Sequence, residues 1–359
     1  MKVAVDEQIF ALQRHGGISR VFYELIKQYV DDPRFGVQVL PFDRPIINEY
    51  VLTDRALADY LHAVASTSTV TGLFKQAAPG KYDKEAEIVH HTFYLPPGLY
   101  RYRNAKRIIT IHDMIPELMR NTKRRLDFAT RKRKFLESAD HVICVSQSTL
   151  NDVNRIWPDI QVPMTVIHHG VNPAFSPNAQ RDESLPDNFI AHIGNRAEYK
   201  DAWTLTQAFQ WIASDFPDLV LLYVGGGKPT QQELKQWGGN IQWREATESE
   251  LTSIYAQARL CVVPSRYEGF GLPALEGLAS GTPQILADTS SLPEVGGTAA
   301  RYFTPGNISQ LADLMTEVLT DKELAEQMSE EGLTQAKNFT RVAHAEATAG
   351  VYRATLNQT

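Results

Sequence analysis

Cysteine is scarce, long apolar runs are missing, and positive charge is not in excess. Two cysteines occur in 359 residues, Cys144 and Cys261. Both lie inside apolar runs, HVICVS and LCVVPS, so they read as reduced core residues and not as a disulfide framework. No apolar stretch approaches the roughly 18 residues that suggest a membrane span. The chain opens on MKVAV, a strand-like run without a signal-peptide pattern. The expected location is the cytoplasm. A net charge of −6 argues against a nucleic-acid partner at the level of the whole chain. No G-x-G-x-x-G occurs, so nicotinamide dinucleotide binding is unsupported. The pairs His90-His91 and His168-His169 are adjacent in strand-like runs. Adjacent strand residues point to opposite faces, so the pairs do not suggest a metal site.

What is present is an alternation of short β-branched runs with helical patterns. That pattern means βα units and parallel sheets. Strands are expected at Val3 to Val5, Val37 to Pro41, Ile88 to His91, Ile108 to Ile111, Val142 to Val145 and Thr165 to Ile167. A second series covers Phe189 to Ile193, Leu219 to Val224, Ile241 to Trp243, Leu260 to Val263 and Gln284 to Ala287. Ile18, Val21, Phe22, Leu25, Ile26 and Tyr29 recur at helical spacing and predict an apolar stripe against a sheet. The 359-residue length suits two domains. The stretch 173–188 is proline-rich and aperiodic, and it reads as a connection. The expectation is an α/β protein of two doubly wound parallel-sheet domains, 1–172 and 189–339, with a closing helix over 340–359. Such a pair implies a cleft, where ligands usually sit. The region Ser66 to Gly80 is weakly patterned and predicts no element.

Five stretches carry possible chemistry. In SRYEGFGLPALEG, residues 265–277, a strand ends in a glycine-broken loop that opens a helix at about Leu272. Glu268 lies in the loop and Glu276 in the helix. Parallel sheets bind ligands at the carboxyl ends of their strands, and N–H groups at a helix start suit anions or hydroxyls. Carboxylates beside them suit paired sugar hydroxyls. The plainer alternative is a strand-turn-helix with two solvated glutamates. Gly16 and Gly17, in HGGISR, would let backbone approach a phosphate or sugar closely, or make an ordinary turn. Arg196 and Lys200, in GNRAEYKD, could neutralise a leaving diphosphate, or pair with Glu198 and Asp201 at the surface. In TIHDMIP, His112 and Asp113 could meet sugar hydroxyls or serve acid/base steps, or simply order their loop. The run 123–135 mixes Lys123, Arg124, Arg125, Arg131, Lys132, Arg133 and Lys134 with apolar residues. It could bind an anionic membrane surface, or be a solvated helix face.

These motifs, with VSQST, VIHHGV, GLASGTP and SSLPEVGG, stand in the order of the retaining glycosyltransferases of family 4, which the chain resembles over nearly its whole length. The resemblance implies the GT-B fold of two Rossmann-like domains, with the last helix crossing back to the N-terminal one. It implies a nucleotide-sugar donor held mainly by the C-terminal domain. Glu276 would hold the ribose hydroxyls and Glu268 would lie by the donor sugar. Amides of Phe270, Gly271 and Leu272 would meet the sugar or phosphates. Arg196 and Lys200 would meet the diphosphate, Gly16 and Gly17 would close over the reacting centre, and His112 would contact the sugar. The arginine stands two residues after Gly194, where many relatives place it one after. Asp201 stands where relatives often have Asn or Gly.

The subgroup motifs resemble bacterial surface-polysaccharide enzymes, often mannosyltransferases, including those of lipopolysaccharide assembly. The implied reaction moves a sugar, mannose from GDP-mannose by preference, to a hydroxyl of a glycan or lipid-linked glycan. It would retain configuration without a metal or other cofactor, and no D-x-D dyad stands out as a metal holder. The chain would be cytoplasmic and could lie on the inner membrane face. Alternatives are a UDP-sugar donor, a glycoside hydrolase using Glu268 and Glu276, a sugar-nucleotide epimerase, and a binding subunit without turnover.

Overall fold

The computed structural model describes residues 1–66, 80–119 and 123–358. The chain divides into two compact units, Met1–Gly170 with Arg341–Thr359, and Val171–Thr340.

The first unit is built on a parallel sheet of six strands. They are β1 (Lys2–Val5), β2 (Gln38–Val39), β3 (Ile88–His91), β4 (Lys106–Ile111), β5 (His141–Cys144) and β6 (Met164–Val166). Their order is β2-β1-β3-β4-β5-β6. The inner strands β3 and β5 are buried at every position. Parallel strands covered on both faces read as continuous apolar runs for this reason. The helix Gly17–Asp31 buries Val21 and lays Phe22, Leu25, Ile26 and Tyr29 into the core with Val3, Val5 and Ile88. Each such side chain, fully buried, contributes about 1.5–3 kcal/mol. The helix Arg341–Leu356 adds Ala345, Ala349 and Tyr352 to this same core. Tyr352 Oη meets His90 Nδ1 at 2.6 Å, and Tyr29 Oη donates to Ala345 O at 2.9 Å. Most of the weakly patterned stretch Ser66 to Gly80 lies outside the described residues.

The second unit has a parallel sheet ordered β12-β11-β10-β7-β8-β9. The strands are β7 (Phe189–Ile193), β8 (Val220–Val224), β9 (Ile241–Arg244), β10 (Leu260–Val263), β11 (Gln284–Ala287) and β12 (Ala300–Phe303). The strand β12 was not expected. It lies at an edge, pairing only with β11, and its central Arg301 and Tyr302 stay half-buried. A four-residue edge strand after a glycine pair leaves little apolar signal. Residues 173–188, expected as a connection, group with this unit. Ser253 Oγ donates to Gln180 O at 2.6 Å, and Arg244 Nη1 reaches Ser184 Oγ at 3.3 Å.

Candidate functional site

Sheet order locates the site. In the second unit β7 has β8 on one side and β10 on the other. The chain builds outward from β7 to β9, then returns to add β10 on the opposite side. The crevice beyond the carboxyl ends of β7 and β10 is therefore the topological switch point, where open α/β sheets bind ligands. The loops leaving these two strands carry Arg196 with Lys200, and Glu268.

After β7, Gly194 departs with φ of +133°. A turn, Glu198–Lys200, follows, and Asp201 adopts the left-handed conformation at φ 49°. Asn, Asp and Gly tolerate that conformation best. Asp201 is buried and its Oδ2 accepts from Arg266 Nε at 3.0 Å. Arg266 N also donates to Tyr199 O at 2.8 Å. The two loops are thus tied together by main chain and side chain.

This tie brings Lys200 onto Glu268. Lys200 Nζ donates to Glu268 Oε1 at 2.6 Å, with the side chains 14% and 10% exposed. Buried Ser265 donates its hydroxyl to the same oxygen at 2.7 Å. Glu268 N donates to Ser290 Oγ at 2.9 Å, and Ser291 Oγ donates to Glu268 O and Phe270 O at 3.0 and 2.8 Å. Gly271 sits at φ +104°. A Cβ there would be strained and would stand 3.0 Å from Leu292 Cδ2. The helix Leu272–Ala279 starts at once, with a proline in its first turn, a favoured place because the missing N–H needs no partner there. Phe270 is buried, edge-on to Phe339 at 5.9 Å. Glu276 is 3% exposed, and its Oε2 accepts from Tyr255 Oη at 2.9 Å. The arrangement offers a cation and two anchored carboxylates around a glycine-opened helix start.

Family models match almost end to end. One described as Glycosyl transferases group 1 matches residues 177–335, and one described as Glycosyltransferase Family 4 matches residues 15–175. The chain belongs to the group 1 glycosyltransferases of the GT-B fold. The O-antigen chain mannosyltransferase B of Escherichia coli is 27% identical over 276 residues, 70% of this chain and 71% of that protein. The serotype-specific mannosyltransferase WbdA of Escherichia coli is 27% identical over 259 residues, 65% of this chain but 32% of its own length. The chain therefore spans about a third of that relative. Sucrose-phosphate synthase from Thermosynechococcus elongatus has the same fold, with TM-score 0.74 at 19% identity over 98% of both chains. So do Anabaena HepE, solved with UDP and glucose, at TM-score 0.73 and 15% identity, and WaaG, a glycosyltransferase involved in lipopolysaccharide biosynthesis, at 0.69 and 15%. Each covers 98% of both chains.

Within this glycosyltransferase, Arg196 is held by the protein itself. Its Nε donates to Glu233 Oε1 at 2.7 Å, Nη1 to Gly225 O at 2.9 Å and Nη2 to Gly227 O at 2.8 Å. Its guanidinium also lies 5.8 Å from the centre of the Trp237 ring. All three of its nitrogens are engaged, and they tie it to the glycine loop after β8 and to Glu233. That loop needs glycine: a Cβ on Gly226, at φ +75°, would stand 2.6 Å from Asn195 Cα.

The remaining expected residues belong to the first unit. Gly16 precedes the helix Gly17–Asp31, and Gly16 O accepts from Arg20 N and Ser19 Oγ. The Gln13 side chain fills the space that a Cβ on Gly16 would take. His112 follows β4 and is 8% exposed, and its Nε2 has no hydrogen-bond partner among the described residues. Burial lowers its pKa to about 3, so it is a neutral imidazole. Asp113 does not pair with it. Asp113 Oδ1 accepts from Ile115 N at 3.0 Å and orders the loop.

Residues Lys123–Ser138 form a helix, though the side chains of 123–126 lie outside the described residues. Lys132 is 1% exposed, donating to Asp113 O at 2.8 Å and Glu117 Oε2 at 2.9 Å. Arg131 pairs with Asp127, and Arg133 with Glu137 and Asp159. Three of the seven basic residues expected to face a membrane surface, Arg131, Lys132 and Arg133, thus have acidic partners within the protein, while Lys134 is exposed. Among the described residues no helix is long and apolar enough to cross a membrane. Nor do they contain a cluster of three or more His, Cys, Asp or Glu suited to a metal. Reading the sequence missed Tyr255, Ser265, Arg266 and Ser290 as site residues. Ser265 and Ser290 stood inside quoted motifs, while nothing local marks Tyr255.

Proposed function

We propose that this glycosyltransferase moves a hexose from a nucleoside diphosphate to a hydroxyl of a glycan or lipid-linked glycan, with retention and without a required metal. GDP-mannose is the preferred donor, because the E. coli relatives named above are mannosyltransferases. A UDP-sugar is the alternative, because one structural neighbour was solved with UDP and glucose.

The observation that carries the reading is the Lys200–Glu268 pair at the switch point of the second sheet. A diphosphate leaving group develops charge as its bond to the anomeric carbon breaks. We assign Lys200 to that charge, with the amides of Phe270, Gly271 and Leu272 at a helix start. We take Glu268 as the resident counterion of Lys200. The arriving diphosphate displaces it, and the released carboxylate turns to the hydroxyls of the donor sugar. Glu276 holds the ribose hydroxyls. The acceptor oxygen then bonds the anomeric carbon, the carbon–phosphate-oxygen bond breaks, and the leaving phosphate takes the acceptor proton. In the first unit, Gly16, Gly17 and neutral His112 are the residues we assign to the sugar, His112 as a hydrogen-bonding group. Arg196 serves by holding the glycine loop.

A thermal-shift panel of UDP, GDP, ADP and their sugar conjugates tests the reading, since a ligand of the native state raises its melting temperature. A selective rise with one nucleotide supports a donor site and identifies the base. No rise with any would overturn it. Lys200→Ala should then lose at least ~10²-fold in kcat while remaining folded.

A further inference from the structure

We infer that Tyr255 is a positioning residue that sets nucleoside specificity by fixing the plane of the Glu276 carboxylate. The inference rests on the reading that Glu276 clasps the ribose hydroxyls. Tyr255 lies in the helix Glu248–Gln257 and is fully buried. Its Oη donates to Glu276 Oε2 at 2.9 Å. Two contacts help to hold the tyrosine itself. Its ring stands edge-on to Phe175 at 5.6 Å and 82°, and its carbonyl accepts from Thr282 Oγ1 at 2.5 Å. Its helix begins on a capping box of Thr247 and Glu250.

The terminal torsion of a glutamate is broad and soft. A carboxylate that must accept from two vicinal hydroxyls at once needs a defined plane, or ligand binding must supply the ordering. The phenol occupies one acceptor direction on one oxygen. The carboxylate is buried, so a lost charge-assisted bond is not replaced cheaply by water. The consequence is selective. A ligand offering both ribose hydroxyls benefits from the fixed plane, whereas one lacking a hydroxyl benefits less. Tyr255 therefore acts on the ratio of ribonucleotide to deoxyribonucleotide affinity, beyond any contribution to folding.

The test is calorimetric binding of GDP and UDP, each with its 2′-deoxy and 3′-deoxy counterparts, to wild type, Tyr255→Phe and Glu276→Ala. Phenylalanine keeps the ring in its packing site. The expected result is a ribo/deoxy ratio about 10-fold smaller in Tyr255→Phe, with deoxy affinities nearly unchanged. The ratio should approach one in Glu276→Ala, and adding Tyr255→Phe to that variant should change nothing more. A lowered melting temperature in Tyr255→Phe with the wild-type ratio would overturn the inference and leave Tyr255 a packing residue. An unchanged ratio in Glu276→Ala would overturn the ribose reading itself, and the inference with it.

Discussion

Replacing Glu268 by glutamine should strengthen binding of the bare nucleoside diphosphate while it weakens turnover. The amide keeps the shape of the side chain, and its carbonyl still accepts from Ser265, which donates to Glu268 Oε1 at 2.7 Å. What is lost is the charge opposite Lys200, whose Nζ lies 2.6 Å from the same oxygen. A hydrogen bond to a charged group contributes about 1.5–3 kcal/mol net. If the incoming diphosphate must break this one, removing it returns that amount to binding, a gain of roughly 10- to 100-fold in affinity. Calorimetry with GDP and UDP on wild type and Glu268→Gln reads the gain directly. Lys200→Met should weaken the same binding, and in the Lys200→Met background the glutamine should bring no gain. Release of diphosphate from the sugar-nucleotide in the presence of acceptor should fall by ~10² or more, because the carboxylate is no longer available to the sugar. Unchanged or weaker diphosphate binding by Glu268→Gln would refute counterion exchange.

Other predictions concern the frame of the site and of the first unit. Arg196→Ala should cost about 1–3 kcal/mol by urea unfolding, because it leaves Glu233 and two loop carbonyls without the guanidinium. Lys132→Met should be similarly destabilising, since Glu117 would remain buried without its partner; adding Glu117→Gln should recover part of the loss. Stability should also decline as pH falls from about 6.5 towards 4. Burial lowers His90 and His112 to about 3, and His192 and His344 to about 4. Between the unfolded value near 6.5 and these folded values the unfolded chain binds more protons, so acid favours unfolding. Urea titrations at pH 7 and pH 5 check this, and a flat or opposite dependence would refute neutral burial of these rings.

Much of the architecture is local information. The runs Ile88–His91, Phe189–Ile193, Leu260–Val263 and Gln284–Ala287 are strands with the bounds expected from their apolar β-branched content. A strand covered on both faces writes itself into consecutive residues. The start of the helix at Leu272 is equally legible, because Gly271 and Pro273 act where they stand. The edge strand β12 is not, since half of it faces solvent or neighbours that its own residues do not announce.

The sequence by itself determined that two parallel-sheet units form, that loops bearing Lys200 and Glu268 leave the carboxyl ends of their strands, and which family the motifs resemble. Periodicity and turn chemistry act within a few residues, so they survive in a linear reading. Only the tertiary structure decided which charges meet. Lys200 and Glu268 are 68 residues apart, and Tyr255 and Glu276 are 21 apart. Arg196 and Lys200 look interchangeable in one short loop. Their partners differ because the Gly225 and Gly227 carbonyls after β8, and Glu233 in the helix that follows, hold the guanidinium, whereas Glu268 holds the ammonium. Lys132 looks like one cation of a basic helix, yet Glu117 and the backbone of Asp113 draw it into the interior. A side chain's charge is written in the sequence, but its counterion is chosen by the strand order that brings distant loops to one edge of a sheet.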